Sequence, residues 1–165
     1  MSKTKIDLVP LLRFMETLPK SGDVELTLLK CHLLIEEVLT EIISKALKNS
    51  NHVKEARLSF AQKIHITRAS TELSHAPWIW QALKLLNQAR NELSHNLTSH
   101  EIEEKLGKFI THVKAHNSGM PEEALSEKFT RFHWSAFATY TVVSSHANFD
   151  PASVNSLTIL GGRNA

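Results

Sequence analysis

Cysteine, glycine and proline are all scarce in this chain of 165 residues, which contains one cysteine, five glycines and five prolines. The single cysteine, Cys31, excludes an internal disulfide framework and is typical of a protein from a reducing compartment. Few glycines and prolines leave few turn signals, while leucine, glutamate, lysine and alanine, which favour helices, are abundant. The composition therefore predicts helices joined by short connections.

Long apolar runs and a strong charge of either sign are missing as well. No stretch approaches the roughly 20 uninterrupted apolar residues of a membrane span. Asp7 and Pro10 interrupt the apolar segment that a signal peptide would need, so we expect a cytoplasmic protein with no membrane partner. The net charge of +2 permits a nucleic-acid partner without implying one, although ten histidines would add positive charge at mildly acidic pH.

Several common catalytic patterns are also absent. The sequence has no glycine-rich phosphate loop, no paired-carboxylate motif and no serine-centred elbow, so the standard kinase, hydrolase and dinucleotide chemistries have no support. His112 and His116 have the i, i+4 spacing of a metal-binding pair, but no cysteine or carboxylate clusters beside them. We expect both histidines to face solvent, with no metal and no cofactor.

Most aromatic residues are expected in the core, and Trp134 is the best candidate for a subunit contact.

Hydrophobic periodicity predicts an all-α bundle of about six helices. Helix starts and stops follow from capping residues, prolines and Asn-rich or Gly-containing breaks. The predicted helices span about residues 5–18, 21–47, 55–70, 77–97, 98–117 and 121–143, the last beginning at Pro121 and carrying Phe129.

The helices are predicted to form a single domain, since neither a repeat nor a linker interrupts the chain. The domain spans residues 1–150, and an irregular tail follows at 151–165. Leu12 and Met15 share one face of the first helix, and Leu33 belongs to the apolar pattern of the second, which looks like the core helix.

The most informative segment is Arg90-Asn91-Glu92-Leu93-Ser94-His95, near the end of the fourth predicted helix. Arginine matches a phosphate, and a histidine with a pKa near ~6.5 can take or give a proton at neutral pH. At about 100° per residue, Asn91 and His95 lie roughly 40° apart, whereas Arg90 and His95 lie roughly 140° apart. Arg90 can reach the same site by curling around the helix, by a departure from α geometry in the last turn, or across a groove between two copies. The competing interpretation is an ordinary surface, because such residues are common near a helix C-terminus.

This motif, Arg90-Asn91 followed by three residues and His95, resembles the signature of the HEPN superfamily (higher eukaryotes and prokaryotes nucleotide-binding). The resemblance covers roughly residues 24–115, including the helix around 30–39 and the segment at 58–64, in an order similar to the branch that contains the mannitol operon repressor. It implies a helical bundle, commonly a dimer whose two motifs face each other. In catalytic members it implies metal-independent RNA cleavage.

The resemblance also implies roles for the motif residues. His95 would be the general base or acid while the ribose 2′-hydroxyl attacks the adjacent phosphorus, which confines the substrate to RNA and yields a cyclic phosphate. Arg90 would stabilise the charge on the phosphoryl oxygens, and Asn91 would orient the phosphate or the histidine.

Three further residues are supporting candidates. Ser94 lies within the motif, and Glu36 and Glu37 lie in the long second helix, from which one of them could hold Arg90. The competing interpretation of these carboxylates is a solvated surface charge.

One departure separates this chain from many HEPN toxins, in which a nucleotidyltransferase partner modifies a tyrosine two residues after the histidine. Leu97 occupies that position here, and the only tyrosine is Tyr140, so regulation by this modification is not expected. We expect an endoribonuclease of a toxin, defence or stress system, with RNA, a second copy of the chain and an antitoxin or regulatory protein as partners. The alternatives are a noncatalytic regulator of transcription, as in the mannitol-repressor branch, and a protein-interaction module.

Overall fold

The computed structural model describes residues 9–19, 22–71, 76–95, 99–126 and 129–147. These residues form seven α-helices and one 3₁₀ turn, and none of them lies in a β-strand, so the predicted all-α bundle is confirmed. In chain order the helices are α1 (Val9–Thr17), α2 (Val24–Ala46), α3 (Asn51–Glu55), α4 (Phe60–Ser70), α5 (Ile79–His95), α6 (Ser99–His116) and α7 (Arg131–Ala147), with the 3₁₀ turn at Glu122–Ala124.

The longest helix, α2, follows the second predicted helix closely. Asp23 caps its N-terminus, because the carboxylate accepts a hydrogen bond of 2.9 Å from the Leu26 backbone N–H. Glu25 in the first turn and Lys45 in the last turn match the helix dipole. Because α2 packs against α1, α3, α4, α5 and α7, it carries the core on which the site is built.

The buried faces of the helices form one apolar core. α5 and α6 pack along each other, and both also contact α7. Among the described residues, no helix is both long enough and apolar enough to cross a membrane. The largest fully buried side chains include Phe14, Leu28, Ile35, Leu39, Ile43, Ile64, Ile79, Leu83, Leu86, Phe109 and Tyr140.

The third predicted helix, at 55–70, is split in the structure. A short helix, α3, precedes it, and α4 begins only at Phe60. Between them Arg57 has a φ of 47°, which a continuous right-handed helix does not allow. A capping box then starts α4: Ser59 Oγ accepts from the Gln62 N–H at 3.3 Å, and Gln62 Oε1 accepts from the Ser59 N–H at 2.8 Å.

The last predicted helix begins ten residues later than its expected start at Pro121. Ser126 and Phe129 first close a turn on each other, since the Ser126 N–H donates to the Phe129 carbonyl and the Phe129 N–H donates to Ser126 Oγ. The Thr130 N–H then donates to His133 Nδ1 at 3.2 Å, at the first turn of α7. Phe129 therefore lies in the connection, half-buried against the core, and not on the helix.

The remaining boundaries agree with the predictions where the structure describes them. α5 begins two residues after Pro77 and ends at His95, and α6 begins four residues later. Leu97, Thr98 and the predicted tail at 151–165 lie outside the described residues.

Some predicted apolar contacts are wrong. Leu33, part of the apolar pattern predicted for the core helix α2, is 59% exposed, and the face of α1 that carries Leu12 and Met15 is exposed as well, because α1 buries Phe14. Trp134 is buried in the core of its own chain and is not available for a subunit contact. Large exposed apolar residues concentrate on α1 and α2, namely Val9, Leu12, Met15, Val24, Leu26, Leu29 and Leu33, with Leu47 just after α2.

Candidate functional site

The motif occupies the last turns of α5, where its side chains have different surroundings. Arg90 is half-buried, whereas Asn91 and His95 are exposed. The Arg90 guanidinium donates from Nη1 to Asn91 Oδ1 at 3.5 Å, which is the outer limit of a hydrogen bond. The Ser94 hydroxyl donates to the Arg90 carbonyl at 3.2 Å, so this supporting residue is bonded to the helix backbone. The side chain of His95, the last residue of α5, makes no hydrogen bond to another described residue.

An open cleft of about 400 Å³ lies where α2, α5 and the N-terminus of α4 meet. Arg90 and Asn91 both line this cleft, so the structure brings these two predicted site residues together. His95, one turn further along α5, is not among the residues that line it. The cleft walls are formed by His32, Glu36, Ser59, Phe60, Ala61, Asn87, Arg90 and Asn91.

The two neighbouring carboxylates of α2 have different partners. Glu36 lines the cleft, where its Oε1 accepts a hydrogen bond of 2.7 Å from Lys63 Nζ of α4. Glu37 instead forms an ion pair with Arg13 of α1. Of the two predicted supporting carboxylates only Glu36 lines the cleft, and the cation that it binds is Lys63 and not Arg90.

Sequence reasoning missed three polar residues of the cleft: Ser59, which caps α4, and the pair His32 and Asn87. His32 is 5% exposed, and its Nε2 lies 3.2 Å from Asn87 Oδ1. Its ring stacks on Phe60, with the ring centroids 3.9 Å apart. The spacing of this pair from predicted site residues could have identified them. Asn87 lies four residues before Asn91, and His32 lies four residues before Glu36, and residues four apart share a helix face.

The charges around the cleft favour an anion. Arg90 forms no ion pair with a carboxylate of the described residues, so its guanidinium can accept an anionic ligand without first breaking one. Burial lowers the pKa of His32, and the nearby cations of Arg90 and Lys63 lower it further, while Asn87 and Glu36 act in the opposite direction. The imidazole at the cleft wall is therefore neutral near pH 7.

The second histidine pair lies elsewhere, at the C-terminal end of α6. His112 is half-buried and donates from Nε2 to the Trp78 carbonyl at 3.0 Å, so the prediction that it faces solvent is wrong. His116 is exposed as predicted, donates from Nδ1 to the His112 carbonyl and stacks on the Trp78 indole at a centroid distance of 6.3 Å. Both rings thus fasten α6 to the residues that precede α5.

Cys31 lies beside His32 in α2 but has no access to the cleft. It is buried, and burial raises the pKa of its thiol well above the usual range, which disfavours a reactive thiolate. Within the described ranges, no three histidine, cysteine, aspartate or glutamate residues lie close enough together to hold a metal ion. The chemistry of the cleft thus comes from a guanidinium, two amides, an imidazole and the Glu36–Lys63 ion pair.

This set of groups is suited to binding and orienting an anion, while the exposed imidazole of His95 stands outside the cleft of its own chain. An exposed histidine without a hydrogen-bond partner remains free to exchange a proton with a ligand. No family model matches this chain, and comparisons with curated proteins and with solved structures found no match either.

Proposed function

We propose that this chain is a metal-independent endoribonuclease of the HEPN type, which acts through Arg90, Asn91 and His95 in a toxin, defence or stress system. One observation carries the proposal: Arg90 and Asn91 line a cleft with a guanidinium free for a phosphate, and His95 on the same helix is exposed and unbonded within the described residues. A histidine that held the core together would be buried and hydrogen-bonded, whereas the His95 ring is open to a ligand.

The reaction follows from these groups. His95 accepts the proton of a ribose 2′-hydroxyl as general base, and the resulting oxygen nucleophile attacks the adjacent phosphorus. Arg90 stabilises the negative charge that builds on the phosphoryl oxygens, and the Asn91 amide orients the phosphate. The bond to the 5′-oxygen of the next nucleotide breaks, that oxygen takes up a proton, and the products are a 2′,3′-cyclic phosphate and a 5′-hydroxyl.

The position of His95 supports a homodimer as the active form. Since His95 does not line the cleft that holds Arg90 of its own chain, a second copy is the natural source of the imidazole for that cleft. The apolar side chains exposed on α1 and α2 offer surface that a second copy would bury.

The first experiment incubates labelled RNA with wild type, His95→Ala and His65→Ala in the presence of a chelator. His65 is an exposed histidine of α4 outside the cleft and serves as the matched control. Wild type and His65→Ala are expected to give equal amounts of 2′,3′-cyclic phosphate, and His95→Ala at least ~100-fold less, the usual size of a general acid–base contribution. Cleavage by His95→Ala at the wild-type rate, or intact RNA with a folded wild-type dimer, contradicts the proposal.

A mixing experiment tests the shared site. Arg90→Ala and His95→Ala are each expected to be inactive, but an equimolar mixture should recover about a quarter of wild-type activity, because half of the dimers are mixed and each has one intact site. Recovery requires that Arg90 and His95 come from different subunits. If both residues of a site came from one chain, the mixture would stay inactive.

A noncatalytic regulator is the second candidate, and the position of His95 outside the cleft favours it. A cleft of about 400 Å³ has the size of a small-ligand site, and such a protein needs no free imidazole beside it. A regulator is expected to shift the fluorescence anisotropy of a labelled DNA duplex at low salt while leaving RNA intact. Cleavage that depends on His95 would contradict this alternative.

A further inference from the structure

His32 is an unusual choice for its position. It lies on the buried face of α2, whose other buried side chains are apolar except Thr27, and a leucine would fill the space without a polar atom. Its imidazole has a partner instead, Asn87 Oδ1 at 3.2 Å on α5, and its ring lies against Phe60 at the first turn of α4. One side chain thus joins the three helices that form the cleft.

The bond to Asn87 fixes which nitrogen of His32 carries the proton. An amide oxygen only accepts, so Nε2 is the donor and Nδ1 keeps its lone pair. Nδ1 lies 3.9 Å from Glu36 Oε2, which is beyond hydrogen-bond distance. The charged groups that face the ring are Glu36 of α2, Lys63 of α4 and Arg90 of α5, and the two cations disfavour a second proton on it.

The residue that His32 binds lies directly upstream of the motif. Asn87 precedes Arg90 by three residues and Asn91 by four, so all three lie within about one turn of α5, and all three line the cleft. Restraining Asn87 therefore restrains the turn from which the guanidinium and the second amide reach a ligand. Misplacement of about 1 Å in such groups can lower a rate by ~100-fold.

We propose that His32 is a positioning residue of this site: by donating from Nε2 to Asn87, it fixes the turn of α5 from which Arg90 and Asn91 face the cleft. His32 does not itself exchange a proton with the substrate. The effect on turnover rests on the proposed ribonuclease function, whereas the tautomer and the bond to Asn87 do not.

The bond is tested first, by ¹⁵N NMR of the imidazole nitrogens in the full chain, with the His32 signals assigned by their loss in His32→Leu. The expected result is the Nε2–H tautomer around neutral pH, with a clear shift of both nitrogens in Asn87→Leu. If His32→Leu does not fold, the Asn87→Leu comparison alone identifies the coupled signals. An Nδ1–H tautomer in wild type, or ¹⁵N chemical shifts of His32 that are unchanged in Asn87→Leu, overturns the proposal.

The second test measures RNA cleavage by His32→Leu and His32→Gln. The matched control is Thr27→Val, which removes the hydrogen bond from Thr27 Oγ1 to the Asp23 carbonyl at another buried position of α2, one that does not line the cleft. We expect kcat to fall by about tenfold to 100-fold in His32→Leu with KM changed less than about threefold, and to recover partly in His32→Gln, whose amide can also donate. Thr27→Val should keep the wild-type kcat.

The outcomes of the two tests are separable. Equal kcat values for wild type and His32→Leu, or equal losses in His32→Leu and Thr27→Val, overturn the positioning role. Wild type that cleaves no RNA contradicts the ribonuclease function only, and the NMR result then decides whether His32 orders the cleft.

Discussion

The capping box of α4 provides a direct test of how the cleft wall is built. α4 buries only Phe60, Ile64 and Thr67, so its own start signals contribute a large share of its stability. Ser59→Ala removes the acceptor for the Gln62 N–H, a hydrogen bond of 3.3 Å, and replacement of an N-cap serine by alanine costs about 1 kcal/mol. For a chain of this size that loss corresponds to a decrease in Tm of about 2–4 °C.

Gln62→Ala removes the reciprocal bond of 2.8 Å to the Ser59 N–H, but alanine is the better helix former, so we expect a net loss of about 0.5 kcal/mol. The two bonds fix the same turn, and the double variant should therefore lose less than the sum of the single variants. Urea unfolding followed by circular dichroism measures the free energy of unfolding of the two single variants and of the double variant. Ser70→Ala, at the other end of α4, is the control, because the Ser70 hydroxyl bonds only the Thr67 carbonyl at an exposed position. Equal effects of Ser59→Ala and Ser70→Ala, or strictly additive effects of Ser59→Ala and Gln62→Ala, would refute the reasoning.

Two further variants and the pH dependence of the free energy of unfolding also test this structure. Arg57→Gly should raise the free energy of unfolding by about 1 kcal/mol, because glycine adopts a φ of 47° without the steric cost of a side chain. A lower free energy of unfolding in urea for this variant than for wild type would contradict the left-handed conformation. Tyr140→Phe should change the free energy of unfolding by less than about 1 kcal/mol, because the buried hydroxyl interacts with the Ser144 side chain but makes no hydrogen bond of normal geometry with a described residue; a clear loss would mean that the bond to Ser144 is fully formed. Burial lowers the pKa of both His32 and His133, so the unfolded chain binds protons first as the pH falls. Stability should therefore be greatest above the unfolded pKa of about 6.5, decrease as the pH falls below it, and level off once the folded histidines are protonated; urea midpoints that rise in acid would exclude this.

The helical class followed from the sequence because apolar spacing is a local signal, but the helix starts depended on chemistry that spacing does not contain. The predicted helix at 55–70 has acceptable spacing throughout, yet Arg57 turns left-handed and Ser59 caps a new helix after it. The start predicted at Pro121 is wrong for the same reason, because Ser126 and Phe129 hydrogen-bond each other in a turn before α7 begins. In both places a side-chain hydrogen bond to the backbone competes successfully with continuation of the helix.

Only the part of the site that lies within one short stretch of sequence could be predicted. Arg90 and Asn91 are neighbours in the chain, so a motif could identify them together. His32 and Asn87 are separated by 55 residues, and only the packing of α2 against α5 brings them into contact. Spacing within a helix places each of them on the same face as a predicted site residue, but it does not reveal that the two are in contact, and a buried histidine among leucines resembles an ordinary core residue until its partner is known.

Adjacent residues of α2 serve different surfaces, and this affects how a dimer could be arranged. Since successive residues of a helix are about 100° apart, His32 and Glu36 can line the cleft while Leu33 is exposed and Glu37 pairs with α1. A second copy that buried Leu33 would thus lie beside the cleft and not inside it. Such an arrangement would leave the Arg90 guanidinium open to a ligand and bring the surface of another subunit to the edge of the cleft, where the reaction proposed above requires the imidazole of a second His95.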